Sequence, residues 1–211
     1  MNRTDWNNYY ERPYKTAAVT RRITAFYLTR QLLRSLKTGH PSIIELGGAN
    51  SCFVDVLYTK LDPAYYTIID NNEFGLSLLK HRKREISNLI LVNDDVLNPR
   101  MEAAVDLVFS VGLIEHFDTA GTRAAIDTHF RLARPGGLVL IGFPTPTWLY
   151  RATRRLFEFL KLWQFPDERA LSFREVFETI SQHGIVQTKI LIWPIFLTQG
   201  LLLCKKYEKG R

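Results

Sequence analysis

From residue 42 onward the chain alternates short apolar runs with longer amphipathic stretches. Runs at 42–46, 65–69, 89–92, 106–111 and 138–143 carry Val, Ile and Leu at successive positions. That pattern predicts strands covered on both faces. The stretches between them predict helices over 52–61, 73–86 and 119–133, with Pro135-Gly136-Gly137 as a turn before the fifth strand. Strands alternating with helices predict parallel βαβ units. Ahead of this block, 16–36 has Val19, Ile23, Phe26, Tyr27 and Leu33 near helical spacing, with Arg21, Arg22, Arg30 and Arg34 on the other faces. Gly39 and Pro41 end that helix. After Phe143 the rhythm breaks. Trp148, Tyr150, Trp163 and Pro166 surround a basic, helix-like core at 151–161. A helix over 172–183 follows, opened by Ser172 and Glu175 as a capping box. Two apolar strands, 186–193 and 201–205, close the chain, for an α/β expectation of seven strands.

Composition narrows this picture. A chain of 211 residues that is 46% hydrophobic suits one folded domain, 1–211. The polar N-terminus lacks the apolar core of a signal peptide, and Pro194 and Thr198-Gln199-Gly200 break the most apolar stretch, 190–204. Cys52 and Cys204 form neither a disulfide framework nor a metal spacing, so a reducing, cytoplasmic setting is expected. The net charge of +7 is uneven: +6 over 1–40, −4 over 41–150 and +5 over 151–211. Basic flanks suit a solvated surface, or contact with nucleic acid, anionic lipid or a phosphorylated substrate.

The candidate chemistry lies at the strand ends. Ser42 to Ser51 reads as a strand ending in an acid and then a small-residue turn, which lets a nucleotide-like ligand approach the backbone. Glu45-x-Gly47, Asp70, Asp95 and Ser110-Val111-Gly112 would all lie along one sheet edge, where ligands bind in parallel sheets. Asp70 follows Gly47 by 23 residues, the spacing at which an acid meets ribose hydroxyls. Asp95, one strand further out, is set to accept from an exocyclic amine such as that of adenine, so the expected ligand is an adenosine.

Residues 44–51 resemble motif I of class I S-adenosylmethionine-dependent methyltransferases. Asp70 matches that family's ribose-binding acid, and Asp94-Asp95-Val96 the segment that contacts the adenine amine. Residues 106–117 are similar to motif IV, and 132–140 to the helix–turn–strand after it. The resemblance covers about residues 40–143. It implies a mostly parallel sheet with helices on both faces and the last strand antiparallel, an N-terminal helix, and an insert after strand five. It divides the chain into an N-terminal lid and helix (1–40), a donor-binding core (41–143), an acceptor-side insert (144–170) and a closing helix and strands (171–211). It implies S-adenosyl-L-methionine as cofactor. The donor pocket it implies is drawn from Glu45, Gly47, Gly48, Asn50, Asp70, Asn71, Asp94, Asp95, Ser110, Val111 and Glu115, with Tyr9 and Tyr14 from the N-terminal segment. The chain departs from the pattern at Ala49 and Ser51, where the family has glycines, and at Gly112, where metal-dependent relatives carry an acid. No metal is expected.

The resemblance implies in-line transfer of a methyl group to an O- or N-nucleophile, helped by alignment and exclusion of water. His116, just past strand four, is either the general base or a residue that bonds the loop. His129 and His183 fall on predicted helices and read as structural, and His40 and His81 as surface residues. Trp6, Tyr9, Tyr10 and Tyr14 form either a lid over the donor or anchors for the segment. The insert's arginines and aromatics suit either core packing with a solvated back, an anionic membrane surface, or a phosphorylated or lipid-linked acceptor. The expected acceptor is thus a small molecule, a glycan or a lipid-linked group. Nucleic acid is disfavoured, because no Asn-Pro-Pro-Tyr-type clamp follows strand four. The rival classes are a non-catalytic S-adenosylmethionine-binding or nucleic-acid-binding module and a nicotinamide-dependent oxidoreductase. Against the last, the Gly-x-Gly-x-x-Gly spacing is missing and no Tyr-x-x-x-Lys pair occurs.

Overall fold

The computed structural model describes residues 3–12, 17–193 and 198–208. The elements in order are α1 (Trp6–Glu11), α2 (Ala17–Ser35), β1 (Ser42–Leu46), α3 (Val54–Leu61), β2 (Tyr65–Asp70), α4 (Glu73–Arg82), β3 (Leu89–Asn93) and β4 (Val105–Val111). A 3₁₀ turn (Ile114–His116) follows, then α5 (Thr119–Leu132), β5 (Ala133–Pro144), α6 (Trp148–Phe159), α7 (Phe173–Ile180), β6 (Gly184–Ile192) and β7 (Gln199–Lys206). The strands form one seven-stranded sheet in the order β3-β2-β1-β4-β5-β7-β6. Only β7 runs against the others, pairing antiparallel with both β5 and β6. The strand order reverses between β1 and β4, the place in a parallel sheet where ligands bind beyond the carboxyl ends of the strands.

Alternate residues of the central strands feed two cores. On one face Leu28 and Leu32 of α2, Leu57 of α3 and Leu79 of α4 pack with Ile43, Tyr66, Leu107 and Leu140. On the other, Ile126 and Phe130 of α5 and Val176 and Ile180 of α7 pack with Ile44, Val108, Val139 and Ile141. The predicted two-sided burial holds for β1, and for β2 beyond Tyr65. It fails at β3, an edge strand whose Ile90 is 45% exposed. The other edge strand, β6, has alternating burial because it is covered on one face only.

Several boundaries differ from the sequence expectation for local reasons. Helix α3 starts at Val54, because the Ser51 hydroxyl accepts from the Phe53 N–H and holds the preceding residues in a turn. Helix α4 ends at Arg82, not 86. Pro135-Gly136-Gly137 is no separate turn. It lies inside β5, where the register with β4 shifts between Val105 and Leu107 and Gly136 takes a positive φ of 69°. Helix α6 opens earlier than predicted, at Trp148, where the Thr147 hydroxyl accepts from the Tyr150 N–H. Helix α7 stops at Ile180, which leaves His183 outside it, bonded through Nε2 to Asp127 and stacked on Phe130. The predicted capping box is half formed: Ser172 accepts from the Glu175 N–H, but the Glu175 carboxylate pairs with Arg169. His129 is fully buried on α5 and neutral, since burial lowers its pKa to about 4. Its Nδ1–H donates to the Ala125 carbonyl, and its Nε2 accepts from the Ser110 hydroxyl. Among the described residues no helix is long and apolar enough to cross a membrane.

Candidate active site

The loop expected to hold the donor is built where β1 ends. Gly47 stands at φ +73°, and a Cβ there would lie 2.7 Å from Leu113 Cδ1. Its N–H donates to the Ile69 carbonyl of the neighbouring strand. Gly47→Ala is therefore expected to cost about 1–2 kcal/mol from the left-handed backbone alone, read as a lower denaturation midpoint in urea. Gly48 has a different reason: a Cβ would meet the Glu45 carboxyl carbon at 2.6 Å. Ala49, the first missing glycine, is fully buried, and its methyl lies 2.8 Å from where a Cβ on Gly75 would stand. The substitution is absorbed by a glycine in α4, not by the ligand side of the loop. Ser51, the second, folds back on the loop, its N–H on the Gly48 carbonyl.

Asp70 ends β2 and organises this loop. Its Oδ2 accepts from the Ala49 N–H at 3.0 Å and its Oδ1 from the Asn72 N–H at 2.8 Å. Each oxygen keeps a second lone-pair direction, which suits a vicinal pair of hydroxyls. Burial raises its pKa, against the opposing pull of those backbone bonds. Glu45 is 3% exposed and accepts from the Tyr66 hydroxyl at 2.6 Å, and burial raises it to about 7. The Oδ1 of Asn50 is buried and has no hydrogen-bond partner. Asn71 is exposed beside Asp70, while Asn72 caps α4 and donates to Asn7 of α1.

The remaining predicted donor residues fall less evenly. Asp94 is tied up by the backbone N–H groups of Asp95 and Arg100, and Asp95 is exposed with one oxygen on the Leu97 N–H. Ser110 is fully buried, and its hydroxyl is spent on His129. Val111 is half-buried at the end of β4. Tyr9 packs edge-on against Phe165 at 4.9 Å and accepts from Arg21, an anchoring position. Tyr10 instead packs its ring against Gly75 of α4, and burial and the nearby Asp70 hold its hydroxyl neutral. Tyr14 lies outside the described residues.

Beside the donor loop stands a second constellation that the sequence only half disclosed. Glu115 and His116 come from the 3₁₀ turn after β4, and Asp167 and Glu168 from the end of the insert. The Arg169 N–H donates to the Glu115 carbonyl at 2.9 Å, which clamps the two segments together. His116 Nδ1 bonds Asp167 Oδ1 at 3.1 Å. Burial works against the imidazolium, but Asp167, Glu115 and Glu168 together outweigh it and raise the His116 pKa. Glu115 is 2% exposed and is raised to about 8 by burial, and its Oε2 has no partner. Glu168 accepts from the Tyr150 hydroxyl, while Arg154 of α6 donates to the Glu168 carbonyl. Ligand atoms of Glu115, His116 and Glu168 lie within 4.8 Å of one another, the spacing a cation would need. The clue in the sequence was an acid pair at the end of a basic, apolar insert.

Helix α1 covers this centre. The Thr4 N–H and hydroxyl both donate to Asp167, and Trp6 stands edge-on to His116 at 4.8 Å. The same carboxylate therefore holds both the N-terminal segment and the imidazole.

No protein-family model matches the sequence, and no curated protein matches it. Solved structures do. The N-methyltransferase NodS from Bradyrhizobium japonicum, in complex with S-adenosyl-L-homocysteine, superimposes with a TM-score of 0.68 at 20% identity over 87% of each chain. Magnesium protoporphyrin IX methyltransferase from Synechocystis gives 0.71 at 13% identity, over 87% of this chain and 82% of that one. A chain from the complex of the Haloferax volcanii Trm112 methyltransferase activator gives 0.78 at 12% identity, over 99% and 100%. The chain has the class I methyltransferase fold.

Proposed function

We propose that this protein transfers a methyl group from S-adenosyl-L-methionine to an oxygen or nitrogen of a small-molecule, glycan or lipid-linked acceptor. The observation that carries this reading is a pair of buried polar atoms without a hydrogen-bond partner, Asn50 Oδ1 in the loop after β1 and Glu115 Oε2 in the adjoining centre. An unpaired buried polar atom costs about 1–3 kcal/mol, so a ligand bringing hydrogen-bonding groups to this sheet edge answers both. The residues fit that cofactor: Gly47 and Gly48 keep side chains off the loop, and Asp70 offers paired acceptors to a ribose. When bound, S-adenosylmethionine supplies an electrophilic methyl group on a sulfonium.

The chain's own contribution is alignment, dryness and a base. With Nδ1–H of His116 donating to Asp167, Nε2 carries the lone pair that takes the acceptor's proton. Asp167 orients the ring, and the neighbouring carboxyls stabilise the imidazolium that forms. Trp6 and Tyr10 exclude water, with α1 as a lid latched by Thr4 on Asp167. The lid must open for substrates to enter, and the shared carboxylate couples its closure to the orientation of the base. The two free cysteines, Cys52 and Cys204, suit a cytoplasmic setting.

The reading is tested by incubating the protein with fractionated cell extract and radiolabelled S-adenosylmethionine. Label appearing in a small-molecule, glycan or lipid fraction supports it; label confined to nucleic acid overturns the acceptor class. In the same assay, dialysis against EDTA is expected to leave turnover unchanged. A loss restored by a divalent cation would assign the Glu115–His116–Glu168 cluster to a metal instead of to proton transfer.

A further inference from the structure

Helix α6 is built inside out. Its inward side buries Tyr150 and Thr153, both polar, and holds Arg154 against the Glu168 carbonyl. Its outward stripe, at steps of three and four residues, reads Trp148, Arg151, Ala152, Arg155, Leu156 and Phe159, all exposed. Trp148 is 71% exposed and Phe159 83%, values at odds with a core helix. The apolar patch continues onto the end of β6, where Trp193 meets Trp148 at 5.9 Å between ring centroids. The charges on this face are one-sided. The one acid of the helix, Glu158, is neutralised by Arg154. Arg151 and Arg155 on this face, and the exposed Lys161 two residues past the helix end, enter no ion pair among the described residues.

We propose that this outward face of α6 docks on an anionic lipid bilayer, with Trp148, Leu156 and Phe159 in the acyl boundary and Arg151, Arg155 and Lys161 on the headgroup phosphates. A short helix with large apolar side chains flanked by cations lies flat in such an interface. An acidic protein groove would use the cations but offers no comparable sink for two exposed aromatic rings. Docking has a consequence for the reaction, which rests on the methyl-transfer reading above. The inner face of the same helix holds Glu168 of the reaction centre, so the centre is set beside the lipid surface and the acceptor class narrows to a lipid-linked group.

The test is flotation of the full chain with vesicles of phosphatidylcholine alone and with about 30 mol % phosphatidylglycerol, at low and at about 0.5 M salt. Binding to the anionic vesicles at low salt, at least about tenfold above the neutral ones and lost at high salt, is expected. The triple reversal R151E/R155E/K161E and the double change W148S/F159S should each lower it at least about tenfold. All these side chains are exposed, and calorimetry with S-adenosyl-L-homocysteine on each variant checks that the fold and donor pocket survive. Equal binding to both vesicle types, no binding to either, or binding unchanged in the variants would overturn the proposal. So would a dimer on size exclusion that W148S/F159S dissolves while vesicles stay unbound, which would make the patch a contact between copies. Loss of donor binding in the unaltered chain would instead remove the methyl-transfer reading and leave the vesicle result standing by itself.

Discussion

Asp70→Ala is expected to weaken binding of S-adenosyl-L-homocysteine about 100-fold or more, roughly 3 kcal/mol. Two effects add. The ribose hydroxyls lose a charged acceptor, and the Ala49 and Asn72 N–H groups lose the carboxylate that shapes the donor loop and the start of α4. Asp70→Asn should do little better. Both carboxylate oxygens already accept from backbone N–H groups, so an amide must turn its NH₂ toward one of these donors. Calorimetry reads the affinity, and far-ultraviolet dichroism confirms that the sheet is intact. Unchanged affinity in Asp70→Ala would remove this carboxylate from the donor site and with it the adenosine reading of the sheet edge.

His116→Ala should lower turnover about 100- to 10,000-fold while donor affinity stays near that of the parent. The pH profile separates a base from a residue that only shapes the loop. A general base must be neutral to act, and the carboxylates around His116 raise its pKa above the ordinary histidine value. Turnover of the parent should therefore rise as pH increases through that raised value. Asp167→Asn removes the carboxylate bonded to the ring, so its rise should move toward lower pH, with reduced maximal turnover because the ring is less firmly held. A profile that stays in place in Asp167→Asn, or a His116→Ala variant with full activity, would leave His116 as a purely structural residue.

The geometry of the β1–β2 sheet edge was legible because its signals are local. A run such as Ser42-Ile-Ile-Glu-Leu, set between Pro41 and small residues, favours a buried strand, and the small-residue turn behind it follows from its own backbone needs. The spacing from Gly47 to Asp70 is one βαβ step, so chain geometry alone brings the acid beside the glycine loop. Two details of that edge depended on packing that a linear reading cannot show. Ala49 is tolerated because Gly75, on α4, leaves room for its methyl. Tyr10 packs against Gly75 of α4, whereas Tyr9 is held by Arg21 and Phe165.

The reaction centre was harder to read for a different reason. His116 and Asp167 are 51 residues apart, and Thr4 and Asp167 are 163 apart. No period or spacing links them. They meet because the insert returns across the carboxyl end of the sheet, pinned by the Arg169 N–H on the Glu115 carbonyl. The inverted amphipathicity of α6 was hidden likewise. Its sequence shows a basic, aromatic helix, but only the fold shows that Tyr150 and Thr153 point in and Trp148 and Phe159 point out.

The central claim, that this sheet edge holds an adenosine-bearing methyl donor, is tested most directly by titrating the unaltered protein with S-adenosyl-L-methionine and, separately, with NAD. Saturable one-to-one binding of the sulfonium donor, lost in Asp70→Ala and absent for NAD, is the predicted result. Binding of NAD alone, or of neither ligand, would contradict it.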